Sequence, residues 1–502
     1  MIKVRICFLL LQARKMGTFN KLIVCRTLGF LLFIESVFML LAMFVSVFYG
    51  EQVVRPFLIS VGITFGSALA LFLVGRKASK EMGRRESFFI VATIWVIFSF
   101  FGMLPFYLSG AISTVTDAYF ETISGFTTTG ATVLNNIEAM PNGLLFWRAL
   151  LQWLGGIGII VFTLVLLPFF AGNGTFLYKA EVPGITLEKL RPRVRETAQK
   201  LWKVYILLTA VLILLLWTGS MNLFDSVCHA FTTIATGGFS TKQSGILHWN
   251  SAYTEYIVIV FMVLGGTNFT LIYYLVHGKF KRLRNNDEFK WYLWAICIFT
   301  IIVFAGLLIS NQISGNLEHT FRNALFQVTA TITSCGFSTA DYVQWGPFFW
   351  IILLLLMASG ACSCSTGGGI KIIRSGTLLK NTLNEFRRQI HPRAILPVRI
   401  NNSVVPQEMI VNVSIFVLVY IMVIVISTLL LTGIGIGFEE SIGSVVSCIG
   451  NTGPGLGKTG PTGTFAFLPD FAKWILGFNM IVGRLELFTL LIIFLPGFWK
   501  NR

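Results

Sequence analysis

The sequence has 502 residues, of which 55% are hydrophobic and 12% charged, with a mean hydropathy of +0.76. About a quarter of the residues of a soluble domain are charged, so this chain cannot cover a globular surface with polar groups, and a soluble enzyme or a disordered protein is excluded. The formal net charge of +17 does not signal nucleic acid: Lys and Arg gather in a few segments while most acids lie in the loops between, the positive-inside pattern of a membrane protein.

The apolar runs are continuous rather than alternating, which excludes an outer-membrane barrel and predicts an all-α polytopic membrane protein. The N-terminus is basic, but residues 6–11 are too short for the core of a signal peptide. The first long run is therefore read as a retained helix, with Met16 a second candidate initiator. A hydrocarbon core of about 30 Å needs about 20 apolar residues per helix. Runs of this kind lie at 28–49, 57–75, 88–109, 144–169, 201–217, 256–276, 291–310, 348–373, 409–432 and 471–494. They predict ten crossings, with both termini on the basic, cytoplasmic side.

The first two runs form a leading hairpin, and the other eight form four pairs. Each pair encloses a segment too short to span, at 117–127, 224–234, 321–332 and 439–449, followed by a Thr/Ser/Gly-rich stretch and a polar loop. Each is predicted to be a re-entrant helix whose returning chain is buried in protein or lines a water-filled path, because bare backbone is not tolerated in hydrocarbon. The chain divides accordingly into 1–86 (hairpin), 87–200, 201–290, 291–408 and 409–502 (four pore repeats).

The stretches after the short helices align on one glycine each: Thr128-Thr129-Gly130, Ala235-Thr236-Gly237, Ser334-Cys335-Gly336 and Asn451-Thr452-Gly453. These glycines recur roughly every hundred residues, a repeat of domain size. Small-residue packing between membrane helices accounts for one such motif but poorly for four in equivalent places. A monovalent cation shedding water needs several oxygen ligands. Backbone carbonyls supply them without a formal charge, so the ion can also leave. Turning carbonyls toward one axis requires φ/ψ values that glycine permits, and a short helix ending there points about half a negative charge at the ion.

The run 348–373 begins apolar and becomes small from Ala358, with Gly360 and the triplet Gly367-Gly368-Gly369. Each glycine costs a helix about 1 kcal/mol relative to alanine, so a broken helix is expected, with an irregular loop below the filter able to move aside as a gate. A phosphate-binding loop is not expected here, because Ile370-Lys371 follows the glycines instead of Gly-Lys-Ser/Thr. Arg484 lies within the run 471–494, and a charge at membrane depth points to function. A pair with Glu486 is the structural alternative, although residues two apart do not face each other on a helix. Asp117, Glu121, Asp225, Glu318, Glu439 and Glu440 lie near the starts of the short helices, where they suit the helix dipole and would draw cations to a mouth. The eight cysteines show no metal-site spacing, and Cys362-Ser363-Cys364 is their one close pair.

Gly125-Phe126-Thr127-Thr128-Thr129-Gly130-Ala131-Thr132, Ala235-Thr236-Gly237-Gly238-Phe239-Ser240 and Cys335-Gly336-Phe337-Ser338-Thr339 resemble the Trk/Ktr/HKT superfamily of potassium transporters, and most closely the bacterial Trk-type membrane subunit. The resemblance spans nearly the whole chain. It implies four M1–pore helix–M2 repeats in a homodimer of the cell inner membrane, each protomer with its own pore. It also implies K+ as the transported ion at the filter residues named above, with no organic cofactor in this chain, and a cytosolic ring of nucleotide-binding regulatory subunits. Glycine at Gly130, rather than the serine of sodium-favouring relatives, implies potassium. Arg484 would project into the pore under the filter, and the loop of repeat three would be the intramembrane gate. A K+/H+ or K+/Na+ symporter on the same scaffold is the alternative, with Glu35 and Glu486 its only candidate buried acids. A membrane-embedded enzyme would need a cluster of His, Asp or Glu at membrane depth, which the sequence lacks.

Overall fold

Asn20 starts the first helix, Lys21–Phe48, its side chain accepting from the Ile23 amide at 3.3 Å. Val54–Val74 returns alongside it. The two approach closely at Gly29, where a methyl group would come within 2.7 Å of the Ala68 carbonyl, the small-residue contact typical of membrane helices. The outer faces of this hairpin expose Phe44, Phe48, Leu58 and Leu69. A water-soluble surface does not carry such a patch; lipid covers it. The computed structural model describes residues 19–78, 83–158, 194–312, 315–485 and 487–499. The expectations for residues 6–11, Met16, the second half of 144–169 and Glu486 fall outside these.

Four repeats follow. Each opens with a long apolar helix: Arg84–Gly102, Val194–Trp217, Asp287–Ile309 and Gln407–Gly433. With the hairpin, these give six helices long and apolar enough to cross a membrane among the described residues. A short pore helix comes next in each repeat: Val115–Phe126, Leu223–Ile234, Leu317–Ile332 and Phe438–Gly450. At about 1.5 Å per residue none of them spans. Thr114 and Asn222 cap the first two, accepting from the Asp117 and Asp225 amides at 3.1 and 2.7 Å.

Among the described residues the closing run of each repeat is broken or bent instead of forming one continuous helix. Asn142–Trp153 runs into a π turn, Leu154–Gly158. Ala252–Gly265 and Phe269–Val276 meet at 111°. Pro347–Ser359 stops at Gly360, and helix resumes only at Ile372–Ile390. Asp470–Arg484 ends at Leu485 before the short turn Leu487–Leu491. Arg484 therefore sits at a helix C-terminus rather than mid-helix, where a cation suits the dipole. The breaks fall where these helices pass under the pore helices. Gly155 and Gly483 press on the carbonyls of Phe126 and Ile449 so closely that no side chain fits. Beyond Ile390, a two-residue antiparallel ladder pairs Arg399–Ile400 with Ser403–Val404, a detail too short for periodicity to reveal.

Candidate functional site

All four pore helices end in the same way. One or two residues past each helix end the chain takes a left-handed conformation: Thr128 (φ 52°), Thr236 (φ 51°), Ser334 (φ 54°) and Asn451 (φ 52°). The amide of the next residue then reaches back to the last helical turn: Thr129 to Ser124, Gly237 to Thr232, Cys335 to Ala330 and Thr452 to Ser447, at 2.8 to 2.9 Å. This is a Schellman cap, repeated four times. Positive φ is unusual for a non-glycine residue and is an outlier for β-branched threonine; surrounding contacts must hold it.

The caps correct the sequence alignment in repeat two. Two residues after Thr236, at the place of Gly130, stands Gly238 and not Gly237. Gly130, Gly238, Gly336 and Gly453 have φ of 85°, 77°, 76° and 101°, whereas Gly237 is not in that region. Gly237 matches Thr129, Cys335 and Thr452. The signal was present in the sequence: Gly238-Phe239-Ser240-Thr241 repeats as Gly336-Phe337-Ser338-Thr339.

The four corner glycines close a ring. A methyl at Gly130 would strike the carbonyl oxygen of Gly237, one at Gly238 that of Cys335, one at Gly336 that of Thr452, and one at Gly453 that of Thr129. Each repeat thus touches the next, and the fourth touches the first. Thr128, Thr129, Thr236, Ser334, Cys335, Asn451 and Thr452 are all buried. Above the ring opens a pocket lined by Gly130, Gly238, Gly336 and Gly453, with Arg148 and Lys242 on its wall.

Below the ring lies the loop between Gly360 and Lys371. Its Thr366 hydroxyl is 3.1 Å from that of Thr236 and 3.0 Å from the Gly265 carbonyl. The Gly368 amide donates to Ser334 Oγ at 2.7 Å. Gly360 and Gly369 have φ of 68° and 78°, and Gly367 packs on the Thr333 carbonyl, which a methyl group would approach to 2.7 Å. The Cys362 amide donates to the Gly266 carbonyl at 3.0 Å and the Phe269 amide to the Cys364 carbonyl at 3.2 Å, so the loop is stitched into the break of the second repeat. Arg484 completes the underside. Its guanidinium donates to the carbonyls of Gly155 and Gly156 at 2.6 and 2.5 Å and to that of Thr366 at 2.5 Å. One side chain of repeat four therefore joins the breaks of repeats one and three.

The acids near the mouth divide. Glu121 is fully buried and pairs with buried Arg148, Nη2 to Oε1 2.7 Å. It also accepts from the Val133 amide at 2.9 Å, and Arg148 reaches the Ser240 carbonyl of the next repeat. Asp225 is buried and accepts from Thr241 Oγ1 at 2.6 Å. Asp117 meets Lys473, and Glu318 meets Arg322, each at 2.5 Å. Glu121, Asp225 and Asp117 are tied into the scaffold by partners 27, 16 and 356 residues away, which no local pattern reveals, whereas half-exposed Glu318 pairs within its own helix. Removing one partner of a buried pair strands the other charge at a cost of about 3–5 kcal/mol. Arg148→Met is expected to lower the detergent-solubilised unfolding midpoint sharply, whereas Glu318→Gln, at a pair whose carboxylate is half exposed, leaves it nearly unchanged.

Four cap motifs directed at one axis, within helices that only lipid can cover, define a four-repeat membrane transport protein rather than an enzyme. A family model described as cation transport protein, TrkH, matches residues 57–500. The chain is 36% identical over 482 residues to the Trk system potassium uptake protein TrkH of Escherichia coli strain K12, covering 95% of this chain and 99% of that one. It is 33% identical over 489 residues to TrkG of the same strain, covering 97% and 100%. The crystal structure of the potassium transporter TrkH from Vibrio parahaemolyticus superposes with a TM-score of 0.87 at 33% identity, covering 95% of this chain and 99% of that one. The chain belongs to the TrkH family of cation transport proteins.

Proposed function

We propose that this Trk-family potassium uptake transporter conducts K+ inward through the ring of Gly130, Gly238, Gly336 and Gly453. The observation that carries this reading is the closed contact of each corner glycine with the carbonyl of the neighbouring repeat. A potassium ion on the axis exchanges water for main-chain oxygens of residues 128–130, 236–238, 334–336 and 451–453. Four helix C-termini lend it about half a negative charge each. Asn451 Oδ1 and Thr452 Oγ1 are buried there without a partner among the described residues, which suits a water or an ion. A negative interior supplies about 2.3 kcal/mol per charge per 100 mV, so no further fuel is needed.

The loop carrying Gly360, Gly367, Gly368 and Gly369 blocks this path from below and opens by withdrawing, while the Arg484 charge raises the barrier to cations. The protein functions as a homodimer in the bacterial inner membrane, with both termini cytoplasmic and the repeat boundaries drawn from the sequence. Its basic loops dock a cytosolic nucleotide-binding ring that moves the gate.

One observation favours the proton-coupled alternative. Glu35 is 1% exposed and, among the described residues, neither of its carboxylate oxygens has a hydrogen-bond partner, close to Gly102 in the wall of the first pore helix. Rubidium flux into proteoliposomes under an imposed voltage, with and without a pH gradient, separates the two. Conduction predicts flux that follows voltage alone, and in Glu35→Gln as in wild type. Flux that requires an inward proton gradient, lost in Glu35→Gln, would establish symport.

A further inference from the structure

The gate loop has an anchor that the filter geometry does not require. Ser363, in a turn of the loop, is held by Glu288: the Ser363 amide donates to Oε1 at 2.5 Å and its hydroxyl to Oε2 at 2.9 Å. Glu288 is 3% exposed and Ser363 5%. Glu288 lies in the first turn of the helix Asp287–Ile309, which opens repeat three, where the helix amides favour negative charge. Loop backbone at membrane depth needs partners, and a carboxylate that accepts two bonds from one residue is a strong one.

The neighbouring residue extends the connection outward. Asp287 accepts from the Asn401 amide at 2.9 Å, and the Asp287 amide donates to Asn401 Oδ1 at 2.7 Å. Asn401 is in the turn between the two short strands, on the basic side of the molecule near Lys279, Lys281 and Arg282. Two consecutive acids at one helix start thus grip the gate loop on one side and the surface hairpin on the other.

We infer that Glu288 is a positioning residue that tethers the gate loop, through Ser363, to the start of the third repeat, and that displacement of the surface hairpin reaches the gate through Asp287 and Glu288. The inference rests on the loop being the gate, and the test separates the two. Cys362 stands beside Ser363 and is fully buried, so its alkylation, read peptide by peptide in the full-length protein, reports the loop's position independently of flux. Glu288→Ala should raise both Cys362 alkylation and rubidium flux by about ten-fold, the equivalent of one lost charge-assisted hydrogen bond. Ser363→Ala, which leaves the carboxylate in place, should shift both in the same direction by less. Glu288→Gln, which still accepts from the amide and donates to the hydroxyl, should keep Cys362 protected.

Alkylation that rises without a change in flux upholds the tether and removes the gating role of the loop. Alkylation unchanged in both Glu288→Ala and Ser363→Ala overturns the tether, whatever the flux.

Discussion

Gly238→Ala is expected to cripple transport far more than Gly237→Ala, one residue earlier. At Gly238 an added methyl meets the Cys335 carbonyl, which is main chain and cannot move aside, and φ of 77° already disfavours a side chain. Left-handed backbone costs an L-residue roughly 1–2 kcal/mol. The collision is the larger effect, because relieving it shifts the filter strand of repeat three. A displacement of about 1 Å at such a site costs on the order of a hundred-fold in rate. At Gly237 the methyl meets the end of Gln152, a side chain that can rotate away. The loss there is that of Gln152's own bonds, its Nε2 donating to the Gly237 carbonyl at 2.7 Å and its Oε1 accepting from Phe239 at 3.1 Å. Rubidium uptake by purified protein in vesicles is expected to fall about a hundred-fold for the first variant and about ten-fold or less for the second. Equal loss in both would remove the basis for the repeat-two register.

Arg484→Ala raises flux, and by more than Arg484→Lys. The guanidinium acts in two ways. It places a positive charge just under the ring, and it binds three carbonyls that belong to the breaks of repeats one and three. A unit charge several ångströms from the ion path, at an effective dielectric of about 20, opposes a cation by on the order of 1–3 kcal/mol, and about 1.4 kcal/mol is ten-fold in rate. Lysine keeps the charge but cannot fork across separate carbonyls, so it should free the loop while retaining the electrostatic barrier. Single-channel or vesicle flux should therefore rank alanine above lysine above arginine. Unchanged or lower flux in well-folded Arg484→Ala would assign the side chain a purely structural role.

The sequence made much of this architecture legible, for identifiable reasons. Hydrophobic run length located the hairpin and the helix opening each repeat, because lipid enforces about 20 apolar residues per crossing. The pore helices were visible as runs too short to cross, and the glycine-rich stretch after Ser359 as a break. Run length gave no warning of the bend at Gly266 or the stop at Leu485, because the local signals there, Gly265-Gly266-Thr267-Asn268 and Gly483-Arg484, sit inside runs that are otherwise long and apolar. The register of repeat two was obscured by two adjacent glycines; the cap hydrogen bond from Gly237 to Thr232 and the positive φ of Gly238 agree with the Gly-Phe-Ser-Thr match in placing Gly238 at the corner. Glu121 and Glu288 look like ordinary helix-start acids in the sequence. Their roles depend on Arg148 and Ser363, 27 and 75 residues away, and no local pattern encodes such pairs.

The most direct test is to locate the ion. Thallium, which substitutes for potassium and scatters anomalously, should appear in crystals of the full-length protein as a peak on the axis bounded by residues 128–130, 236–238, 334–336 and 451–453, and should diminish as potassium is added back. Thallium bound elsewhere in the membrane region, with none on that axis under conditions that support flux, would contradict the account.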